Sequence, residues 1–578
     1  SALQFNLTLK SLSDIMAEGI LNIFDYVLLV GLLLTSISIG IYYRFFGRQT
    51  TNEYLLGNKE MGIFPVACSL TASLLSAITI LGLPAEVFQF GAKYLLVNLG
   101  YFIGTPILAH VFLPVFHSLG NISMYQYLKM RFGEPIRLFV SSVFILQTLF
   151  YLAIVLYAPS LALASVSQIP LRVSVLIIGI VSTFYSTIGG MKAVLVTDIF
   201  QMMVIYASVI VVAICGTIEA GGVVNVFETA VNSDRLAFDS FTMDLTITYS
   251  FWSLCIGGLF NFLAQNAASQ TQIQRLLSIG SIINSQIATY FQWMIGVLVN
   301  LFLGYIGLVI FDSYKGCDPM KNNDIGQKDQ LYPYYVVQVL GKYPGVVGLA
   351  FAGVLSGSLS TLSSCLNSLA AVVVQDFVML VTTRFTERRL FLISQLTVIV
   401  AGGISIGLSF AIMDAGGIIK SSQLVIGALA GPVLGIYFLG LVVPFSNQLG
   451  CMLGSVVSIL FCLYLSFINE RRDSGLFTSV EECSSTNNTD FRDEELPELQ
   501  ERSLKYISSL WVSPIATIIV VTIGTVVGFL MRHRNGPVSP ATVLPCIRKY
   551  LCSHNEITAH EVVEMIPGEE QNSFRSNK

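Results

Sequence analysis

The feature that most constrains this chain is a series of long, continuous apolar runs. A helix that spans a bilayer needs roughly 20 mostly apolar residues, and thirteen runs of about this length can be read along the 578 residues. They lie at 24–45, 62–88, 95–117, 136–165, 171–188, 191–219, 246–268, 282–310, 345–381, 390–411, 418–440, 446–468 and 511–531. Transmembrane β-strands instead alternate over about 10 residues. The pattern therefore predicts an all-α polytopic membrane protein with about 13 transmembrane helices.

The composition excludes several other classes of protein. Charged residues make up 11 % of the chain, against about 25 % in soluble domains. The net charge of −4 provides no basic surface for nucleic acid. The five histidines show neither metal-ligand nor nucleophile–base spacing, so we do not expect an enzyme. The expected partners are a lipid bilayer and a small solute, and the sequence does not indicate an oligomeric state.

The distribution of Lys and Arg among the loops predicts the orientation. With the N-terminus outside, most short loops that carry Lys or Arg face the cytosol, as the positive-inside rule requires. The long polar segments 311–335 and 469–510 then lie outside, together with glycosylation sequons at Asn6 and Asn487. We therefore expect a multi-pass plasma-membrane protein, glycosylated at these two positions, with a cytosolic C-terminus.

Two of the ten cysteines fall in the long polar loops. Cys317 and Cys483 would both face an oxidising exterior, where disulfides form and persist. The sequence therefore predicts a bridge between these loops. The alternative is that each cysteine is free or pairs elsewhere.

The second apolar run does not read as a smooth helix. Small and hydroxylated residues fill its middle, and Gly82 and Pro84 follow. The hydroxylated residues are Ser69, Thr71, Ser73, Ser76 and Thr79. Free backbone groups at membrane depth are tolerated where they line a cavity, and transporters use broken helices for this purpose. The run therefore predicts a broken span, with close packing through small residues as the alternative.

A second interruption is expected in the seventh run, at Ile256-Gly257-Gly258-Leu259. Runs two and seven are five apart, which is the spacing expected if runs two to six and seven to eleven are inverted copies. The layout alone carries this inference, because no identity between the two halves is visible in the sequence.

The ninth run has six hydroxyls in nine residues, from Ser356 to Ser364. Sodium is a hard cation that takes oxygen ligands. The adjacent Ser360 and Thr361 can supply two hydroxyls, while a broken helix opposite supplies carbonyls. The alternative is hydrogen bonding of these hydroxyls to the preceding turn of their own helix.

Several long segments resemble the sodium/solute symporter family, the group that contains the sodium–glucose cotransporters. Residues 185–201 read YSTIGGMKAVLVTDIFQ, 270–275 read QTQIQR, and 356–376 read SGSLSTLSSCLNSLAAVVVQD. Segments 54–91 and 144–163 are most similar to the branch of monocarboxylate, multivitamin and iodide symporters. The resemblance covers most of the chain between the first and the twelfth apolar run.

The resemblance implies a core of two inverted five-helix repeats, of the LeuT-like kind, with peripheral helices at both ends. The expected parts are an extracellular N-terminus (1–23), a first peripheral helix (24–45), the transport core (62–440), two C-terminal peripheral helices (446–531) with the extracellular loop 469–510, and a cytosolic tail (532–578).

The same resemblance implies a site for Na⁺, the co-transported ion, between the second and ninth spans. Its ligands would be the carbonyls of Ala72 and Leu75 and the hydroxyls of Ser360 and Thr361, with a further carbonyl from Gly357.

Asp198 matches a family acid near the inner sodium exit path. The alternative is that it pairs with a lysine at the membrane interface, such as Lys192.

The resemblance also implies the nature of the solute. Leu74 and Thr79 stand where the sugar branch has Asn and His, which argues against a sugar. The implied substrate-binding residues are Ser76, Thr79, Tyr101, Asn261 and Gln423. The expected activity is sodium-coupled import of a small organic anion, a monocarboxylate such as lactate or a short-chain fatty acid. The alternatives are a multivitamin (biotin or pantothenate) symporter, an iodide symporter, or a nutrient sensor that keeps the fold without efficient transport.

Overall fold

The structure is a computed structural model. It describes residues 21–46, 60–119, 123–381 apart from 168 and 239, 385–413, 426–468, 475–483, 507–532, 542–544 and 547. The expected glycosylation sites Asn6 and Asn487, the candidate substrate residue Gln423 and nearly all of the predicted tail lie outside the described residues.

The described residues fold into helices, with one isolated β-bridge between Glu60 and Ile279. The first group of helices is α1 (Ile23–Phe46), α2 (Ile63–Leu74), α3 (Ala77–Phe90), α4 (Val97–Ile107), α5 (Leu113–Leu119), α6 (Tyr125–Phe132), α7 (Glu134–Val166), α8 (Leu171–Glu219) and α9 (Val223–Asn232). The second group is α10 (Gly258–Asn266), α11 (Gln270–Leu276), α12 (Ile282–Tyr314), α13 (Leu331–Gln338), α14 (Val346–Val372), α15 (Met379–Val381), α16 (Glu387–Met413), α17 (Gly431–Val442), α18 (Gln448–Ile468) and α19 (Val512–Leu530).

Within the described ranges, nine helices are long and apolar enough to cross a membrane, or ten if the bent pair of α2 and α3 is one span. Helix α8 has 49 residues and holds two of the predicted runs, which meet at Gly190. The backbone of Gly190 is non-helical, with φ 64° and ψ −169°. The predicted seventh and eleventh runs fall on shorter helical segments, so the total of thirteen spans stays a prediction.

The second predicted span is broken in the structure. Helix α2 ends at Leu74, and α3 begins at Ala77 after a bend of 61°. At the break, Leu75 has ψ 71° and Ser76 has ψ 169°, both far from helical values. The break frees backbone carbonyls at the end of α2 and backbone amides at the start of α3, because helix ends lack intrahelical partners.

The seventh run breaks at a different place from the one predicted, so the expected interruption at Ile256–Leu259 is wrong. Residues Ser253–Gly257 form a π-helical turn that continues directly into α10, and Gly257 and Gly258 both have helical backbone angles. The chain leaves the helix at 267–269 and resumes as α11, with Ser269 in an extended conformation.

Helix α14 lies at the centre of the protein. Every residue from Val346 to Val372 is buried except Leu349. A helix that is buried on all sides belongs to an interior, and α14 packs against α1, α2, α7 and α8. This packing brings the hydroxyl-rich stretch of α14 against the end of α2.

Candidate functional site

The break in the second span faces the two hydroxyls predicted from the ninth run. Ser360 Oγ donates to the carbonyl of Ala72 at 2.7 Å, and Thr361 Oγ1 donates to the carbonyl of Ser73 at 3.0 Å. Both hydroxyls also lie close to the carbonyl of Gly357, at 3.0 Å and 2.9 Å respectively. All of these residues are buried, and each hydroxyl therefore joins the end of α2 to α14.

The absence of a side chain at Gly357 allows this close approach. A Cβ at this position would lie 2.5 Å from the carbonyl oxygen of Leu75 and 3.3 Å from the carbonyl carbon of Ser76. The five residues expected to bind sodium are thus brought together from two segments almost 290 residues apart. The carbonyl of Ser73 joins the set, although the sequence did not single it out.

The chemistry of this oxygen cluster suits a small hard cation. Its donors are backbone carbonyls and hydroxyls, which are the ligands that alkali and alkaline-earth ions prefer. Within the described ranges, no group of three or more His, Cys, Asp or Glu side chains could hold a metal ion. The carbonyls at the end of α2 also carry the negative end of its helix dipole. The cluster can therefore offset one positive charge without a carboxylate.

Asp198, on α8, contacts α2 shortly before the break and is completely buried. Its Oδ2 accepts a hydrogen bond from Ser69 Oγ at 2.5 Å. The ion-pair partner that the structure gives it is Arg275, with Nη2 at 3.7 Å from Oδ2, whereas the sequence suggested Lys192 as the alternative partner. The same guanidinium donates to Ser73 Oγ at 2.5 Å and to the carbonyl of Ser69 at 3.3 Å.

Sequence reasoning considered Arg275 only as part of the segment 270–275 and missed this role. The structure places it on α11, directly after the interruption at 267–269, with about 1 % of its surface exposed. It therefore connects α11 to the end of α2 and to Asp198 on α8. The available signal was the polar stretch 270–275, which is too polar for a membrane span and yet adjoins one.

A cavity of about 240 Å³ adjoins the break. Four of the five predicted substrate-binding residues line it: Ser76, Thr79, Tyr101 and Asn261. The fifth, Gln423, lies outside the described residues. The cavity wall also contains Thr71 and Leu75, so the cavity and the oxygen cluster share the two sides of one break.

Hydrogen-bonded amides form a second part of the cavity wall. Gln292 Nε2 donates to Asn266 Oδ1 at 2.7 Å, and Thr71 Oγ1 lies 3.3 Å from the carbonyl of Gln292. Further along α12, Asn300 Nδ2 donates to Asn98 Oδ1 at 3.0 Å. Sequence reasoning did not select these residues. The available signal was the presence of Gln292 and Asn300 in the middle of a long, mainly apolar run.

Among the described residues that line the cavity, one carries a carboxylate. Glu86, on α3, is 6 % exposed and accepts a hydrogen bond from the hydroxyl of Tyr249 at 2.8 Å. The rings of Phe90 and Tyr94 pack edge-on against Tyr249, with centroids 5.0 Å and 5.2 Å away. Leu510, from the segment that precedes α19, belongs to the same cluster and also lines the cavity.

The predicted outer loops are joined to each other in the structure. Cys317 and Cys483 form a disulfide with their Cα atoms 5.1 Å apart. Beside it, the amide of Asp318 donates to the carbonyl of Ser479 at 2.9 Å, and the amide of Glu482 donates to the carbonyl of Gly316 at 3.0 Å. The segment 475–483 also reaches the end of α3, where the amide of Leu476 donates to the carbonyl of Gln89 at 2.8 Å.

Comparison with known proteins gives consistent matches along the chain. The family model described as the sodium:solute symporter family matches residues 54–458. A mouse protein named sodium-coupled monocarboxylate transporter 1 is 39 % identical over 450 residues, which cover 77 % of this chain and 74 % of the relative. The human protein of the same name is 37 % identical over 479 residues, covering 81 % and 78 % respectively. A Drosophila melanogaster protein, provisionally named a sodium-dependent multivitamin transporter, is 38 % identical over 454 residues, covering 77 % and 75 %.

Two solved structures show the same kind of fold. An outward-open Na⁺-coupled sialic acid symporter is similar with a TM-score of 0.74 and 23 % identity, over 89 % of this chain and 99 % of that one. Mhp1, a nucleobase–cation symporter, is similar with a TM-score of 0.53 and 14 % identity, over 84 % and 95 %. These likenesses confirm the predicted class of fold, an all-α polytopic protein with a LeuT-like core.

Proposed function

Because this chain belongs to the sodium:solute symporter family, we propose that it imports a small monocarboxylate, such as lactate or a short-chain fatty acid, across the plasma membrane together with Na⁺. Sodium-coupled solute transport is the activity of the family. The identity of the solute, the ligands of the ion and the direction of transport are the parts that we propose here.

The observation that carries the proposal is the pair of opposed helix ends at the break. The end of α2 presents carbonyls toward Ser360 and Thr361. The start of α3, at Ser76 and Ala77, has no side-chain cap and carries the positive end of a helix dipole. Half-helices in transporters bind cations at their carboxyl ends and anionic groups at their amino ends. One break can therefore bind Na⁺ on one side and a carboxylate on the other.

The size and lining of the cavity favour a small solute. Its volume of about 240 Å³ is below the range of roughly 300–1,000 Å³ that is typical of sites for drug-sized ligands. Ser76, Thr79 and Asn261 supply hydroxyl and amide groups that can hydrogen-bond a carboxylate. A solute of a few carbons fits this space and these groups.

The shared break accounts for coupling between the ion and the solute. Sodium coordinated by Ala72, Leu75, Ser360 and Thr361 would hold α2 against α14 and fix the direction of α3. A solute bound at Ser76 and Thr79 would meet an already ordered helix end. Each ligand should therefore raise the affinity for the other by the same factor. The inward driving force would be the sodium gradient plus about 2.3 kcal/mol per charge for each 100 mV of membrane potential.

The proposed orientation places the N-terminus outside and the C-terminus in the cytosol. The distribution of Lys and Arg supports it. The disulfide between Cys317 and Cys483 adds further support, because disulfides persist in an oxidising exterior and are rare in the cytosol. Both loops joined by this bridge are extracellular in the proposed orientation.

A second candidate solute is a vitamin carboxylate. The Drosophila relative, at 38 % identity, favours this candidate about as strongly as the monocarboxylate relatives favour theirs. Biotin and pantothenate also carry a single carboxylate, so the same helix end would bind them. They are bulkier than lactate, and their apolar parts would have to fit toward Val97 and Leu510.

The test is uptake of radiolabelled solutes by cells that express the protein, with Na⁺ and with choline in its place. We expect Na⁺-dependent uptake of lactate and of short-chain fatty acids that exceeds uptake of biotin, pantothenate and iodide. Uptake of biotin alone would replace the proposed solute with the second candidate. Normal surface abundance with no solute-dependent sodium current for any of these compounds would contradict transport and indicate a sensor.

A further inference from the structure

The end of α3 far from the break is held by parts of the chain that are distant in sequence. The last four carbonyls of an α-helix have no partner within the helix. In α3, the carbonyl of Phe88 accepts a hydrogen bond from the guanidinium of Arg235. The carbonyl of Gln89 accepts one from the amide of Leu476 at 2.8 Å. Two of the four carbonyls that end α3 are therefore bound from outside the helix.

Arg235 joins the end of α3 to α12. Its side chain is completely buried, and its guanidinium stacks on the ring of Phe311 of α12, 3.5 Å from the ring centroid. Its own carbonyl accepts from the amide of Ala92 at 2.7 Å. The approach is so close that a Cβ at Gly91, which has φ 79°, would lie 2.6 Å from this carbonyl oxygen. Side chain and backbone of Arg235 thus both contact the end of α3.

The segment 475–483 is the second attachment, and it is fixed to the loop that follows α12. The disulfide and the backbone hydrogen bonds described above join it to that loop. Thr478 Oγ1 also donates to Asp318 Oδ2 at 2.7 Å. Arg235 Nη2 donates to the carbonyl of Phe477 at 3.1 Å, so the two attachments contact each other. Both therefore tie the end of α3 to α12 and to the loop after it.

The cavity lies between these same two helices. Thr79 of α3 and Asn300 of α12 both line it. Beyond the cavity the helices touch at Gly307, where a Cβ would lie 2.7 Å from the carbonyl oxygen of Pro84. The ring of Phe311 is about one turn further along α12. The two attachments therefore hold α3 against α12 just past the end of the cavity.

We propose that Arg235 and the segment 475–483 form a clamp that sets the spacing of α3 and α12, and with it the width of the cavity between them. Because α3 begins at a break, across Leu75 and Ser76, α2 does not fix its direction. The clamp at the other end limits the angle at which α3 leaves the break. Arg235 is thus a positioning residue, and its effect on the solute rests on the proposed import of a monocarboxylate.

The first test is hydrogen–deuterium exchange of the purified protein, measured by mass spectrometry. Arg235→Met keeps an unbranched apolar side chain and removes the guanidinium. We expect faster exchange at the end of α3 (86–92) and in the segment 475–483. Arg172→Met, at an exposed position on α8, is the matched control and should leave both segments at the wild-type rate. Wild-type exchange in either segment of Arg235→Met would overturn the proposal, and so would an equal acceleration throughout α16.

The second test measures Na⁺-dependent uptake of radiolabelled lactate or butyrate, whichever the wild type takes up faster. A wider cavity weakens the contacts of the solute with α3 and α12. Arg235→Met should therefore raise the half-saturating solute concentration by about tenfold, which corresponds to 1.4 kcal/mol, without lowering the maximal rate per transporter at the surface. A general loss of folded protein would lower the maximal rate instead. Arg235→Lys keeps a donor for the carbonyl of Phe88 and should recover part of the wild-type affinity.

A wild-type half-saturating concentration in Arg235→Met, together with faster exchange, would show that the clamp does not set the width of the cavity and would overturn the proposal. Absence of uptake of both solutes by the wild type would contradict the proposed function, whereas the exchange measurement decides on the clamp without any solute.

Thr478→Val keeps the test open if Arg235→Met does not fold. It preserves the size of the side chain and removes the hydroxyl that donates to Asp318. It should accelerate exchange in the segment 475–483 and raise the half-saturating solute concentration by a smaller factor than Arg235→Met. Wild-type values of both quantities in Thr478→Val and in Arg235→Lys would contradict the proposal.

Discussion

The second and the seventh apolar runs are both interrupted, and they differ in how their sequences produce the break. In the first, α2 stops at Leu74 and the chain bends by 61° across Leu75 and Ser76, without a glycine or proline at the bend itself. In the second, the glycine pair Gly257–Gly258 remains helical, and the chain leaves the helix ten residues later, at 267–269. Glycine content therefore points to the wrong position in the seventh run.

Close packing explains what the glycine pair does instead. A Cβ at Gly258 would lie 2.9 Å from Val97 Cγ2, and one at Gly257 would lie 2.7 Å from the carbonyl oxygen of Leu510. On the facing helix, a Cβ at Gly100 would lie 2.5 Å from the carbonyl oxygen of Cys255. Small residues that let helix backbones approach are common in membrane proteins. The comparison shows that glycine in an apolar run can mark a close crossing of two helices rather than a break.

The largest expected effect concerns the residue that links α11 to α2 and to α8. Arg275→Leu removes the cation that pairs with Asp198 and donates to Ser69 and Ser73. Removing one partner of a buried ion pair costs about 3–5 kcal/mol. We expect a large fall in thermal stability. It is measured on the detergent-solubilised protein by size-exclusion chromatography. Arg389→Leu, at an exposed position on α16, is the control.

If Arg275→Leu were as stable as Arg389→Leu, the contacts of Arg275 with α2 and with Asp198 would be unimportant for folding. Arg275→Lys separates charge from geometry, because a lysine keeps the cation but cannot make the same set of hydrogen bonds. We expect it to be intermediate in stability between the wild type and Arg275→Leu.

The next effect concerns the oxygen cluster at the first break. Thr361→Ala removes one hydroxyl that faces the end of α2. A hydrogen bond to a charged group contributes about 1.5–3 kcal/mol, so losing a comparable ion–dipole contact should raise the half-saturating Na⁺ concentration for uptake by about tenfold. Thr361→Ser keeps the hydroxyl and should restore most of the wild-type value.

Ser368→Ala is the matched control for Thr361→Ala. Ser368 is also a buried hydroxyl on α14, but its hydrogen bond goes to Ser364 of its own helix. Its removal should leave the sodium requirement unchanged at equal surface abundance. A normal sodium requirement in Thr361→Ala, or an equal rise in Ser368→Ala, would exclude the proposed ligand set.

The sequence predicted features that are encoded within single segments. Apolar runs indicated the helices, and the hydroxyls of the second and ninth runs indicated the break and the facing pair Ser360 and Thr361. The motif resemblance then related these two segments to each other. The substrate candidates Ser76, Thr79, Tyr101 and Asn261 all line one cavity in the structure, although their role in binding stays a prediction.

Features that depend on contacts between distant segments could not be predicted in this way. Glu86 and its partner Tyr249 are 163 residues apart, and Arg275 reaches α2 across about 200 residues. Taken alone, Glu86 and Arg275 each resemble an ordinary charge near the end of a span. The periodicity of a run shows which face of a helix is apolar, but not which helix that face meets, so the roles of Gly100, Gly257 and Gly258 stayed hidden as well.

The smallest expected effect tests whether these glycines serve packing rather than hinge motion. Gly100→Ala places a Cβ against backbone atoms of Cys255 and Leu259, which cannot move aside as a flexible side chain could. Overpacking of this kind costs about 1–3 kcal/mol, so thermal stability should fall while the half-saturating Na⁺ concentration stays at the wild-type value. Gly403→Ala, on α16 with nothing within 4 Å of its Cβ, is the control, and an alanine there should add up to about 1 kcal/mol of stability. A change in sodium requirement without loss of stability in Gly100→Ala would show that this helix crossing moves during transport. The glycines at the crossing would then serve motion rather than packing.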